Sequence, residues 1–389
     1  MDVSSDKLYD KISSIKSCLE KSKEKLQGIG LSNGILGLSL FYYYCFLDSK
    51  DEYSLNLSLE IVEECIEKLD GDYTSFTTKT DIIQLGLYLQ FLTHHNVLKE
   101  DEFMLEFDQI VLEITRLEIN NKNLDNISGA LTGGTYFLSR STDSDQTEIL
   151  LEIFNLIEQE SIRLNEDMIY WEFDLRGEKN IELNLHHGSA GIVSFLLKLY
   201  TITALHKDKC KEMIYSAINF ILSQKKYGQI NMFPQNAFTE DMLGYHNFTY
   251  GDIGIGYIIT ETGKKFEDDF LISEGLEILK NAALYRDPHK EFIKDANIIY
   301  GASGLNLLFA HFHEIYGMDV FKQAEVHWYH EILKLGNENS QWAGYNTYFN
   351  GTYDFAQLSL SQGLAGIGIN LLNNKKSTPS FLRLLGYDI

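Results

Sequence analysis

The chain has 389 residues, 44% hydrophobic and 23% charged, which supplies a substantial core and excludes wholesale disorder. Its net charge of −23 argues against nucleic acid or an anionic membrane as partner; it suits a positively charged peptide, or simply solubility. With 3 prolines against 29 glycines, few stiff linkers are available, so the glycines must do the punctuating.

The first stretch, MDVSSDKLYDKISSIKSCLEKSKEKL, is charged and amphipathic and has no apolar signal core. The most apolar run, ILGLSLFYYYCFL at 35–47, falls short of the roughly 17–25 residues that span a bilayer and is predicted to be a buried helix. The four cysteines, Cys18, Cys45, Cys65 and Cys210, form no CxxC or Cys-His pair, as suits a reducing compartment. These features predict a cytoplasmic protein with no membrane insertion.

Aligned on glycine, five segments share one pattern: LSNGILGLSLFYY, LHHGSAGIVSFLL, FTYGDIGIGYIIT, IIYGASGLNLLFA and LSQGLAGIGINLL. A looser copy, ISGALTGGTYFL, carries Thr132 where the second glycine would fall. The leading glycines are Gly34, Gly129, Gly188, Gly251, Gly301 and Gly363, and the gap of 95 after the first leaves room for a missing copy. TTKTDIIQLGLYLQFL around Asp81 has the right apolar tail but no GxxG, giving seven units with one degenerate.

Each unit reads as a glycine turn, an apolar helix, a polar connection and an amphipathic helix. The amphipathic member is clearest at 149–164 and 272–284, where apolar residues recur at three and four. Helices apolar all round belong inside, and those with a polar face belong outside. Seven such hairpins predict an all-α fold, an (α/α)7 toroid, built as one domain over 1–389. Residues just before the glycines would face the central bowl, and the segment 141–183 has room for a small insertion. EDDF at 267–270 reads as a solvated turn or helix start. His327 and His330 lie one turn apart on an outer helix without a third metal ligand.

The blocks LNLHHGSAG, FTYGDIGIGY, DANIIYGASGL and LSQGLAGIG, in this order, resemble those of the lanthionine synthetase C-like proteins, the cyclases of lanthipeptide biosynthesis. LDNISGAL resembles a further block of the family. The resemblance covers nearly the whole chain and implies the same fold of seven inner and seven outer helices. It implies a precursor peptide as substrate, with a lanthipeptide dehydratase and a transporter as partners. Family members add a cysteine thiol to a dehydroamino acid, using a zinc ion held by two Cys and one His.

The resemblance puts His187 at the family's catalytic His and Asp125 at its Asp. The zinc positions are occupied by Thr249, Ile299 and Tyr300, and Tyr245 stands where the family has Arg. Isoleucine cannot coordinate a metal, and neutral Thr and Tyr are poor zinc ligands, so no zinc is expected here. Tyr245, Thr249, Tyr250, Asp252 and Tyr300 are then candidates to line a peptide groove or to fill the vacated space. Asp125 could equally be a helix cap, Asp252 a charge at a helix start, and His187 a partner of nearby backbone.

Three functions compete at this point. The first is a zinc-independent thioether cyclase or related peptide-modifying enzyme, and the second an inactive peptide-binding scaffold. The third is a glycoside hydrolase drawing two carboxylates from Asp125, Glu240, Asp241 and Asp252.

Overall fold

The computed structural model describes residues 5–69, 73–99, 102–140, 146–175, 177–228, 231–239, 245–286, 293–337, 339–373 and 381–386. Helix dominates. In chain order the first helices are α1 (Ser5–Ser22), α2 (Leu36–Ser49), α3 (Glu52–Glu67), α4 (Thr78–His94) and α5 (Glu102–Asn120). Then come α6 (Ala130–Ser139), α7 (Gln146–Glu160), α8 (Ser189–Ile202), α9 (Lys207–Ser223) and α10 (Asp252–Phe266). The last are α11 (Asp269–Leu284), α12 (Ala302–Tyr316), α13 (Asp319–Leu335), the short α14 (Asp354–Leu358) and α15 (Leu364–Asn373).

The seven glycine-led or apolar segments become α2, α4, α6, α8, α10, α12 and α15. In α2 every residue from Leu36 to Cys45 is buried, and α8, α10 and α12 are buried nearly as continuously. The intervening helices bury one stripe only. In α9 the buried face consists of Cys210, Met213, Ile214, Ser216, Ala217, Ile218, Phe220 and Ile221. Each fully buried Leu, Ile or Phe contributes roughly 1.5–3 kcal/mol, so these inner faces carry most of the folding drive.

The chain forms two compact units, residues 1–85 with 286–385 and 389, and residues 86–285 with 386–388. In the first unit, α2 packs on α3, α12 on α13, and α15 on α1, α2 and α12. The repeat reading placed each amphipathic helix after its apolar one. The last pair departs from that order, because the outer partner of α15 is α1, from the opposite end of the chain. In the second unit, α6 packs against α5, α7 and α8, while α8 packs on α9 and α10, and α10 on α11.

The insertion expected within 141–183 consists of two β-hairpins. Strand β1 (Ile162–Asn165) pairs antiparallel with β2 (Met168–Tyr170), and β3 (Phe173–Leu175) with β4 (Glu178–Asn180). They are anchored by Trp171, fully buried, whose Nε1–H donates to the Ile157 carbonyl at 2.9 Å. The EDDF stretch is a helix start: the Asp268 side chain accepts the Leu271 N–H at the head of α11.

Candidate functional site

Ahead of α6, α8, α10, α12 and α15 the chain makes a tight turn, with a polar side chain four residues before the glycine; at α2 that position is Gly30, whose carbonyl accepts the Gly34 N–H. Asp125, Asn184, Asn247 and Asn297 accept the N–H groups of Ser128 (2.7 Å), His187 (2.9 Å), Tyr250 (2.8 Å) and Tyr300 (2.6 Å). The Ser359 hydroxyl does the same for Gln362 at 3.2 Å. These side chains fix the backbone of the residue just before the glycine. The glycine itself is required by close backbone approach: a Cβ at Gly188 would lie 2.5 Å from the Glu182 carbonyl oxygen and 2.6 Å from the Asn184 nitrogen.

In the second unit three of these turns are stitched side by side. The N–H groups of Leu185 and His186 donate to the Thr249 carbonyl at 3.1 and 3.3 Å, and the Asn126 N–H donates to the His186 carbonyl at 3.2 Å. The stitching brings Asp125, His187 and Tyr250 together. Asp125 Oδ2 contacts His187 Nδ1, and His187 Nε2 lies 3.0 Å from the Tyr250 hydroxyl. The Asp125 side chain is 9% exposed and the His187 side chain 22%, so the imidazole forms the accessible end of a buried carboxylate.

Burial disfavours charge on both members, but the pairing outweighs it. Burial would raise the Asp125 carboxyl; the His187 hydrogen bond and charge, with the N–H groups of Ile127 and Ser128, hold it below the usual carboxylate range. Burial would likewise lower His187, and the Asp125 hydrogen bond and charge, joined by Glu182, raise it above the ordinary histidine value. With Nδ1–H directed at Asp125, neutral His187 accepts the Tyr250 O–H at Nε2. Once protonated, it donates to the same oxygen. Chemically, the arrangement can pass a proton between the Tyr250 oxygen and the imidazole, as general acid–base catalysis requires.

Tyr245 is half-buried and sets its ring against that of Tyr250, centroids 5.6 Å apart. Thr249 is fully buried, and its hydroxyl donates to Asn247 Oδ1 at 3.0 Å. Asp252 is also buried; its carboxylate accepts the N–H groups of Met232 and, at 3.3 Å, Phe233. It ties the loop before α10 and is not brought to the imidazole. Asp125 closes its own turn and meets His187, but it is not a helix cap: α6 is capped at Gly129 with no side-chain bond, and the N–H groups Asp125 accepts lie before the helix.

Two neighbours were missed from sequence. Glu182 is buried, held by the Asn184 side-chain amide, and its carboxyl is raised chiefly by burial. Its signal is its place six residues before Gly188, on the backbone the glycine touches. His186 is buried, with its ring edge-on to both His187 and Tyr250, and burial pushes it down to about 3.

Tyr300 and Ile299 belong to the first unit. Tyr300 is half-buried against Phe349, centroids 4.6 Å apart, and Ile299 is buried with its N–H on the Ser361 carbonyl. On α13, His327 is half-buried and His330 exposed. Glu240 and Asp241 lie outside the described residues.

A family model described as lanthionine synthetase C-like protein matches residues 26–385. The chain belongs to that family. Among solved structures it is similar to nisin cyclase, with a TM-score of 0.74 and 16% identity over 96% of both chains. That likeness shows the fold class, the all-α toroid expected from the repeats. A cellobiose 2-epimerase from Bacillus thermoamylovorans B4167 gives a TM-score of 0.42 and 10% identity over 93% of this chain and 99% of that one. Comparison with curated protein sequences gives no significant match. Among the described residues, no helix is long and apolar enough to cross a membrane.

Zinc is the metal that family membership implies, and the side chains that the sequence resemblance puts at its three positions do not fit it. The Thr249 hydroxyl is fully buried and engaged by Asn247, Ile299 has no donor atom, and Tyr300 offers a neutral phenol. Cys45, Cys65 and Cys210 are buried in helices, with thiols pushed up by burial to about 12, about 12 and about 11. Among the described residues no group of three or more His, Cys, Asp and Glu could hold a metal.

Proposed function

We propose that this lanthionine synthetase C-like chain acts on a dehydrated precursor peptide as a zinc-independent thioether cyclase or a closely related peptide-modifying enzyme. The observation that carries the reading is the Asp125–His187–Tyr250 series, in which the imidazole is oriented and made more basic by the carboxylate behind it and meets a phenol in front. The peptide thiol gives its proton to the Tyr250 oxygen as the Tyr250 proton passes to His187 Nε2. The sulfur adds to the β-carbon of a dehydroalanine or dehydrobutyrine, and the electron pair moves onto the carbonyl as an enolate. The α-carbon then takes the proton back along the same route, so the ring closes with no net gain or loss of protons.

Zinc-free chemistry is energetically accessible. A thiol of pKa near 8.5 is already a few per cent thiolate at neutral pH, so ionisation costs only about 2 kcal/mol. The larger contribution of a metal would be positioning, which here falls to the turn-borne side chains. No step runs through a metal, and we expect substoichiometric zinc in purified protein by elemental analysis.

The test is incubation with a dehydrated, cysteine-containing precursor peptide, followed by thiol alkylation and mass spectrometry. Loss of alkylatable thiol at unchanged peptide mass supports cyclisation, with H187A inactive. Free thiol at every time point, or full activity in H187A, overturns the reading.

A second reading is a peptide-binding scaffold without chemistry, favoured by the buried, engaged Thr249 and by Tyr300 on Phe349. Calorimetric binding of the precursor without thiol loss would select it. The glycoside hydrolase reading has little support, because both oxygens of Asp125 and of Asp252 are already engaged. We further propose a single domain of seven hairpin repeats, residence in the cytoplasm, and a lanthipeptide dehydratase and transporter as partners.

A further inference from the structure

His186 ties the three turns of the site together twice over. Through its main chain it bonds to the neighbour of Tyr250 at one side and the neighbour of Asp125 at the other: its N–H donates to the Thr249 carbonyl, and its carbonyl accepts the Asn126 N–H. Through its ring it contacts both working side chains. It stands at 77° to His187, centroids 5.9 Å apart, and at 71° to Tyr250, centroids 5.4 Å apart. The tilt between those two rings, 39°, is the one at which Nε2 meets the hydroxyl.

The His186 ring also carries a cost. Among the described residues, its Nε2 is buried without a hydrogen-bond partner. A buried unsatisfied nitrogen destabilises, and an apolar ring of similar shape would avoid the penalty.

We propose that His186 is a positioning residue: an uncharged aromatic wedge that holds His187 against Asp125 and Tyr250 against His187. This rests on the acid–base reading of that series, but it is tested without any peptide substrate. The groups facing His187 are Asp125, Glu182, Tyr250 and His186 itself, and only the last is changed.

The experiment is imidazole 15N NMR titration of the full chain, labelled in histidine, with thermal unfolding of the same samples. H186F should keep the raised pKa of His187 and melt at a higher temperature than wild type, since shape is kept and the unpaired nitrogen removed. H186Q, polar but not a ring, should lower the His187 pKa by roughly one unit as the imidazole loses its alignment with Asp125. A lowered pKa in H186F would overturn the proposal by showing that the nitrogen, not the ring, is needed. An unchanged pKa in H186Q would overturn it by showing that no wedge is needed. Loss of peptide cyclisation plays no part in either outcome, so failure of the cyclase reading is read separately.

Discussion

Asp125 divides its carboxylate between His187 and its own turn: Oδ2 meets the imidazole Nδ1, while Oδ1 accepts the N–H groups of Ile127 at 2.9 Å and Ser128 at 2.7 Å. The two jobs can be separated by substitution. D125N retains an oxygen for the turn but loses the charge, whereas D125A loses both. Both variants should bring the His187 pKa down. D125A alone should lose about 1 kcal/mol more of unfolding free energy, the typical net value of such a hydrogen bond, measured by urea denaturation.

The same pair sets a pH window for stability. His187 is raised in the folded chain, so its contribution is fully present below its unfolded value of about 6.5 and is lost as pH rises through the higher folded value. Asp125 is lowered, so its contribution is present above about 3.9 and is lost as pH falls through the lower folded value. The stability difference between wild type and H187Q should therefore be greatest between about pH 4 and 6.5 and shrink on both sides. A difference that grows between pH 7 and 9 would contradict the pairing.

Glycine in the turns answers to space. A methyl at Gly188 would press on the Glu182 and Asn184 backbone, which cannot move without disturbing the His187 turn. G188A should cost about 1–3 kcal/mol and broaden the His187 resonances. Gly177, in the hairpin joining β3 and β4, has φ +84, and no atom of the described residues lies within 4 Å of the added carbon. G177A should cost only about 1 kcal/mol of backbone strain and leave the His187 signals in place.

Asp252 provides a control inside the same block. With its carboxylate on the Met232 and Phe233 N–H groups, D252A should lower the melting temperature. The His187 titration should not move. A shifted titration would place Asp252 in the acid–base series after all.

The inner helices were legible because their glycines and continuous apolar runs are local signals. His187 and Asp125 were found by resemblance alone, since the contact between them spans 62 positions in sequence. The polar residue four before the glycine was readable in principle, in Asp125, Asn184, Asn247 and Asn297, but it has meaning only once the turn geometry is known. Glu182 and His186 were not legible. A buried carboxylate or imidazole differs from an exposed one only by what the fold packs over it. The insertion at 141–183 was located by its length, but its hairpins depend on Trp171 finding the Ile157 carbonyl.

The packing of α1 on α15 has a consequence for biosynthesis. The unit made of residues 86–285 is nearly continuous in sequence and can mature while translation is still under way. The other unit joins α1 to α15, which lies hundreds of residues downstream, so α1 must wait, with its apolar stripe uncovered, until α15 has been made. The abundant like charge of the polypeptide would help keep that waiting segment from self-association.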